Sequence, residues 1–372
     1  MSADVFPVID ADVHIHESYT ELATYFEMPW RRALEGAGPL RETQRDAPGE
    51  RFLDTPGSSP RTRYDPILSD FPEGQPHQIT SPDVLRADLD RRGIDAAVVF
   101  TGRLLEAATS NDEHYAAALG RAFNRYLAQQ WVNPARGIYA AIMAVNQAPE
   151  EAAREIAQYA GRDDFVAVYL PLAGNYPLWG DRMYEPVFAA AQEAGLPVVL
   201  QGALTVHSVF PYEFHHLPTA LAKHALSQPF GALANLVHLL TTGTLARFPR
   251  LQVIVNDAGA SWLPFVLDRL DHFYPFLRDE APFLEPLPGD HARRQVYLTT
   301  HPVGAPTNPA FLLACYDAIG IDHVLFGSDW PHFDADAPAQ ILALPLSSAA
   351  KRRVLGETAQ ELFRLRLTSR VG

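Results

Sequence analysis

Val8-Ile9-Asp10-Ala11-Asp12-Val13-His14-Ile15-His16 reads as a β-strand, and the architecture is read outward from it. Side chains two apart on a strand point the same way. Asp12, His14 and His16 therefore share one face, while Ile9, Val13 and Ile15 pack on the other. Two imidazoles at i and i+2 can converge on one divalent metal. A solvated polar strand end carries the same pattern, so the pair gains weight only from a second stretch, Phe326-Gly327-Ser328-Asp329-Trp330-Pro331-His332. There an apolar run, Val324-Leu325-Phe326, leads into an aspartate. A chain whose first and last strands are neighbours brings both histidines to Asp329.

Between these stretches one unit repeats. Short apolar runs at 96–100, 138–145, 166–170, 197–201, 252–256, 295–300 and 323–327 read as strands. Each is followed by a segment of helical period. Ser81-Pro82 caps and opens a helix that Gly93 stops, and Ser110-Asn111-Asp112-Glu113 reads as a capping box. The helix after that box carries Tyr115, Leu119, Phe123, Tyr126 and Trp131 on one face, which reads as core. Further helices are expected at 148–161, 182–195, 219–245, 261–277 and 308–320, with a last one ending near Arg366. Continuous apolar strands are buried on both faces, hence parallel. Eight such units predict an α/β fold, a (β/α)8 TIM barrel, as one domain over 1–372. Residues 17–80 are Pro-, Gly-, Arg- and Asp-rich and form a long insertion after strand 1. They read either as a lid over the barrel mouth or as a surface excursion.

Composition narrows the function. The net charge of −14 argues against nucleic-acid and anionic-membrane partners. No apolar tract is long enough to span a bilayer. The N-terminal residues lack a basic region followed by an apolar run, so a cytoplasmic location is expected. Cys315, the one cysteine, lies in an apolar helical context and reads as a buried thiol. A small-molecule substrate is the expected partner. In a barrel the site lies at the C-terminal ends of the strands, which here carry His14, His16, Arg103, Gln201, Asp257, His301 and Asp329.

The pair Asp12-Val13-His14-Ile15-His16 and Gly327-Ser328-Asp329-Trp330-Pro331-His332 resembles the amidohydrolase superfamily. The nearer resemblance is to its amidohydrolase-related branch, which includes aminocarboxymuconate-semialdehyde decarboxylase-like enzymes. Arg247-Phe248-Pro249-Arg250-Leu251, Gly259-Ala260-Ser261-Trp262-Leu263-Pro264, Leu298-Thr299-Thr300 and Leu355-Gly356-Glu357-Thr358-Ala359 extend the resemblance along the whole chain. It implies that His14, His16 and Asp329 are metal ligands, that Asp329 also accepts a proton, and that the protein is a homodimer. The implied cofactor is a divalent metal, zinc first and manganese second. Two departures matter. The branch's histidine at the end of strand 5 is Gln201 here, a poorer ligand for zinc, and its His or Glu at the end of strand 6 is Asp257. His301, His207, His215 and His216 are the substitutes the chain offers. Asp257 and His301 are expected to act as acid or base, and Arg103, Gln201, His215, Trp330 and His332 to contact substrate.

Three functions follow. The first is hydrolysis of an amide, ester or lactone by metal-activated water. The second is metal-dependent decarboxylation of an aromatic or unsaturated acid. The third is a metal-free barrel with an acid/base or binding role, which Gln201 keeps open.

Overall fold

The computed structural model describes residues 6–35, 78–102, 104, 110, 112–172, 175–201, 220–304, 306, 308–332 and 334–367. Eight parallel strands follow one another in sequence order: β1 (Ile9–Ile15), β2 (Ala96–Thr101), β3 (Ile138–Met143), β4 (Phe165–Pro171), β5 (Val198–Gln201), β6 (Val253–Asn256), β7 (Val296–Thr299) and β8 (Val324–Leu325). The ring closes between its ends. Ala11 N donates to Phe326 O at 2.9 Å, His14 N to Trp330 O at 2.7 Å, and Asp329 N to Asp12 O at 3.0 Å. The fold is therefore the (β/α)8 barrel that the apolar runs predict, and the first and last strands are neighbours.

Helices cover the outside: α1 (Pro82–Arg92), α2 (Glu113–Tyr126), α3 (Pro149–Tyr159), α4 (Glu185–Ala194), α5 (Ala220–Thr241), α6 (Trp262–Leu277) and α7 (Pro309–Ile319). Ser81 Oγ caps α1 by accepting from Val84 N at 3.3 Å, and Gly93, at φ 69°, ends it in the left-handed region that glycine enters freely. The capping box read at 110–113 is displaced. The cap is Asp112, whose Oδ1 accepts from Tyr115 N at 3.0 Å, because it immediately precedes the first helical residue. The aromatic face of α2 is core as expected, with Phe123 and Tyr126 buried.

Boundaries differ elsewhere for local reasons. The helix expected over 219–245 breaks at Gly243, φ 73°, and restarts as Thr244–Arg247. A short helix, Pro288–Gln295, precedes β7 and takes Gln295 from the expected strand. Its proline at the first turn and Arg293 and Arg294 in the last are ordinary start and stop signals. Of the insertion, the residues up to 35 pack on the barrel wall. Tyr25 meets Tyr126, and Phe26 and Trp30 meet Tyr115, at ring separations of 5.4, 6.0 and 5.2 Å. Most of the lid reading falls on 36–77, outside the described residues. No described helix is long and apolar enough to cross a membrane.

Candidate active site

The site assembles from four strand ends. β1 carries Asp12 and His14 inward, both buried. His14 Nδ1 donates to the Thr101 carbonyl of β2 at 2.6 Å, which leaves Nε2 facing the barrel mouth. That nitrogen lies 3.2 Å from Asp329 Oδ1, 3.4 Å from Asp12 Oδ1 and 3.5 Å from the Gln201 amide nitrogen. Of the two strand 1 histidines read toward Asp329, His14 thus lies beside it.

Asp257 and Asp329 end β6 and β8 in the left-handed region, at φ 50° and 58°. Aspartate enters that region more readily than branched residues, at some cost. The turn aims both carboxyls into the same space. His301, just past β7, presents Nε2 to Asp257 Oδ1 at 3.5 Å, to Asp329 Oδ2 at 3.7 Å and to Asp334 Oδ2 at 3.9 Å. Its other nitrogen meets Asp336 Oδ2 at 3.0 Å. Asp336 is fully buried and held by Val303 N and Gly304 N at 2.7 and 2.9 Å. His332 Nδ1 meets Asp329 Oδ1 at 2.8 Å.

Among the described residues two groups of donor atoms, each within 4.8 Å of one another, result: His14, Asp329 and His332, and Asp257, His301 and Asp329. Asp329 belongs to both, and His16 to neither. His16 is half-buried at the end of β1, its backbone N donating to Ile79 O at 2.8 Å. Gln201 is buried with its amide oxygen accepting from Asn256 Nδ2 at 3.0 Å. The Trp330 indole packs toward α1, donating to Asp88 Oδ2 at 3.2 Å beneath the Arg92 guanidinium. Arg103, His207, His215 and His216 lie outside the described residues.

The electrostatics divide the carboxyls. Burial pushes Asp257 well above the usual carboxylate range, and the Asp329 charge adds to it. Burial acts the same way on Asp329, but His332 and His14 outweigh it and hold that carboxyl below its ordinary range. Burial alone lowers a histidine. Here it is overcome at His301, which Asp336, Asp329 and Asp257 raise to about 10, and at His14, which Asp12 and Asp329 raise well above its ordinary value.

Three residues of this site carry no motif in the sequence. Asp334 and Asp336 follow Asp329 in the β8 loop, and their alternation with Ala335 is the one local signal. Gln228 reaches from α5 to Asp257 Oδ2 at 2.7 Å and leaves no trace in the sequence pattern.

The donor set suits a divalent ion. Oxygen-rich sites with one or two imidazoles bind such ions, and among the described residues Asp257 Oδ1, like both Asp12 carboxylate oxygens, is buried without a hydrogen-bond partner.

Comparison with known proteins agrees with this fold. The family model described as amidohydrolase matches residues 9–365. A 6-methylsalicylic acid decarboxylase of Penicillium expansum is 27% identical over 207 residues, 54% of this chain and 60% of that protein. A gamma-resorcylate decarboxylase of a Polaromonas strain is 24% identical over 339 residues, 88% of this chain and 99% of that one. Among solved structures, an amidohydrolase from Mycobacterium avium subsp. paratuberculosis superposes with a TM-score of 0.72 at 20% identity, over 97% of this chain and 100% of that chain. A dihydroxybenzoic acid decarboxylase from Polaromonas, solved with manganese and 2-nitroresorcinol, superposes with a TM-score of 0.66 at 18% identity, over 97% and 98%. These superpositions establish a shared fold.

Proposed function

Because the chain belongs to the amidohydrolase family, we propose that this enzyme is a metal-dependent decarboxylase of a hydroxylated aromatic acid. The observation that carries the reading is the buried set of carboxylates and imidazoles around Asp329, which offers both an ion seat and proton-holding groups in one cluster. The named substrates of the two relatives, 6-methylsalicylic acid and gamma-resorcylate, both place a hydroxyl next to the carboxylate. That pattern favours decarboxylation over the metal-hydroxide hydrolysis drawn first from the sequence. Gln201 removes one imidazole, yet Asp329 keeps donors on both sides, so a metal-dependent reading is better supported than a metal-free one.

Asp329, with His14 and His332 on one side and His301 on the other, would hold the ion, and Asp257 beside them would keep a proton. When bound, a divalent ion polarises a substrate carboxylate and its neighbouring oxygen as a Lewis acid. Manganese, present in a solved neighbour, suits the carboxylate-rich set better than zinc. The chain's own part is to orient the ring and manage a proton. As the carbon–carboxyl bond breaks, its electron pair stays on the ring carbon, carbon dioxide leaves, and that carbon takes a proton. Asp257, whose carboxyl burial raises well above the usual carboxylate range, is placed to give it. Thr101 fixes the His14 ring, and Nε2 faces the space beside Asp329. Water restores the proton.

The test is product analysis. Protein reconstituted with manganese is offered ortho-hydroxybenzoic acids in one panel and amides, esters and lactones in another. The expected outcome is carbon dioxide from the first panel, abolished by chelation. Hydrolysis in the second panel with no carbon dioxide from the first would sink the reading.

A further inference from the structure

We propose that the outward face of α6 is a dimer interface, on which a second copy of this chain packs with its own α6 antiparallel to the first. The interface stands apart from the metal and from the reaction.

Aromatic rings stand in water along this face. Among the described residues eleven large apolar side chains are exposed, and six of them lie between 265 and 287: Phe265, Phe273, Phe276, Leu277, Phe283 and Leu287. Phe265 and Phe276 are 61% and 75% exposed. A helix on the outside of a barrel buries one face and turns polar residues outward. α6 buries Trp262, Leu263, Val266 and Leu267 in the ordinary way, but its outward face is not polar. Phe265, Arg269, His272, Phe273 and Phe276 recur at three- and four-residue steps and so form one exposed stripe. Beside it a groove of about 510 Å³ opens between α5 and α6, lined by Leu233, Val237 and Leu270 among others. Four phenylalanine rings at these exposures leave on the order of 500 Å² of apolar surface in water. The largest apolar patch on an ordinary monomer is roughly 300–600 Å² and is often functional. With the charged residues between the rings, and Leu277 and Leu287 at the edge, the face reaches roughly the 800 Å² that each partner gives to a stable interface.

Charge decides which partner fits. Asp268 and Arg269 stand side by side in the middle of the stripe, both exposed. Neither pairs with an opposite charge among the described residues. Arg269 instead lays its guanidinium over the Phe265 and Phe273 rings, 5.6 and 5.2 Å from their centroids. A face with one unpaired anion, one unpaired cation and rings at both ends is complementary to itself under a two-fold axis. With the axis between positions 270 and 271, Phe265 of each copy opposes Phe276 of the other. The two ring pairs then stand about 16 Å apart along the helix. Asp268 comes within one turn of the second copy's Arg269, and Arg269 faces the second copy's His272. An anionic membrane or a nucleic acid asks for a basic face. Residues 265–280 carry four carboxylates against two arginines, which favours another copy of this chain.

The experiment is sedimentation velocity of the purified full chain over about a hundredfold range of concentration, with circular dichroism to confirm folding. Wild type is expected to sediment at twice the 41.1 kDa of one chain at the upper end of the range. Phe276→Glu sets a carboxylate against a ring at both ends of the contact and is expected to weaken the dimer at least ~100-fold. Asp268→Arg and Arg269→Asp each bring like charges together across the axis and are expected to cost about 10-fold. The double variant Asp268→Arg/Arg269→Asp restores the pairing and is expected to recover most of that loss, which a damaged fold would not do. Phe265→Cys mixed with Phe276→Cys is expected to give an intermolecular disulfide under mild oxidation, and neither variant alone. A wild type that stays monomeric overturns the proposal, and binding of that monomer to phosphatidylglycerol vesicles would give the face to a membrane instead. A dimer that Phe276→Glu leaves intact overturns it as well, because the contact then lies elsewhere. Cross-linking in either single variant, or none in the mixture, overturns the antiparallel arrangement. If Phe276→Glu does not fold, the charge-swap series on exposed side chains still decides, and a double variant no tighter than the single ones counts against the interface.

Discussion

Asp10 shows how much one buried carboxyl can shape behaviour. It lies on β1 with Oδ1 accepting from Asp12 N at 3.1 Å and Ser328 N at 2.9 Å, and it is fully buried. Burial raises it to about 7, against the pull of Ser328 and Arg92. The folded state therefore keeps a proton that the unfolded chain, with an ordinary aspartate near 3.8, gives up. Stability from this group is fully present below about pH 4 and is lost as pH rises through 7. A gap of that width between the folded and unfolded carboxyl is worth on the order of a few kcal/mol. Asp10→Asn keeps the acceptor for both backbone donors and removes the titration. Urea melts at pH 5 and pH 8 are expected to show a smaller stability difference in the variant than in wild type. An unchanged difference would mean that Asp10 stays ionised. At this scale the sequence was only partly legible. His14, Asp257, His301 and Asp329 stand where strand ends predict them. Gln228, Asp336 and the outward turn of Trp330 depend on contacts between segments far apart in the chain, to which local pattern is blind.

Elements were legible by period and poorly legible by boundary. Alternation and apolar runs report burial, which the barrel enforces. Caps depend on which side chain reaches the first free N–H, and so Asp112 displaced Ser110. Glycines give a test of opposite signs at this scale. Gly356, in the Arg353–Glu357 turn after β8, leaves no room for a Cβ, which would run into the Pro7 carbonyl oxygen just ahead of β1. That neighbour is backbone, so Gly356→Ala must move the start of β1, at a cost of about 2–3 kcal/mol. Gly231, inside α5, has no described residue within 4 Å of an added Cβ. Gly231→Ala is expected to stabilise by roughly 0.5–1 kcal/mol, because alanine loses less backbone freedom in a helix. Denaturant melts of the two variants check both signs. A Gly356→Ala protein as stable as wild type would mean that the β1 start yields freely.

The whole molecule ties its site to its closure. The donors come from β1, from the ends of β6 and β7, and from β8, and β1 meets β8 only when the ring is complete. The unfolded chain has no such constellation, so ion binding adds directly to folding free energy. Manganese at 100 times its dissociation constant adds about 2.7 kcal/mol. With an unfolding entropy near 2.1 cal/mol/K per residue, a chain of 372 residues converts that into a rise in Tm of about 3 °C. Wild type is expected to show this rise on adding manganese and to lose it with chelator. His301→Gln is expected to show none, since its remaining carboxylates lack the oriented imidazole that completes the set. Eight apolar runs made the barrel readable because closure depends on a pattern repeated eight times. The ion's seat was not, because it turns on which side chains converge on Asp329, and that is a matter of ångströms. Thermal melts with and without the ion read that difference directly. An equal rise in His301→Gln and wild type would place the ion elsewhere.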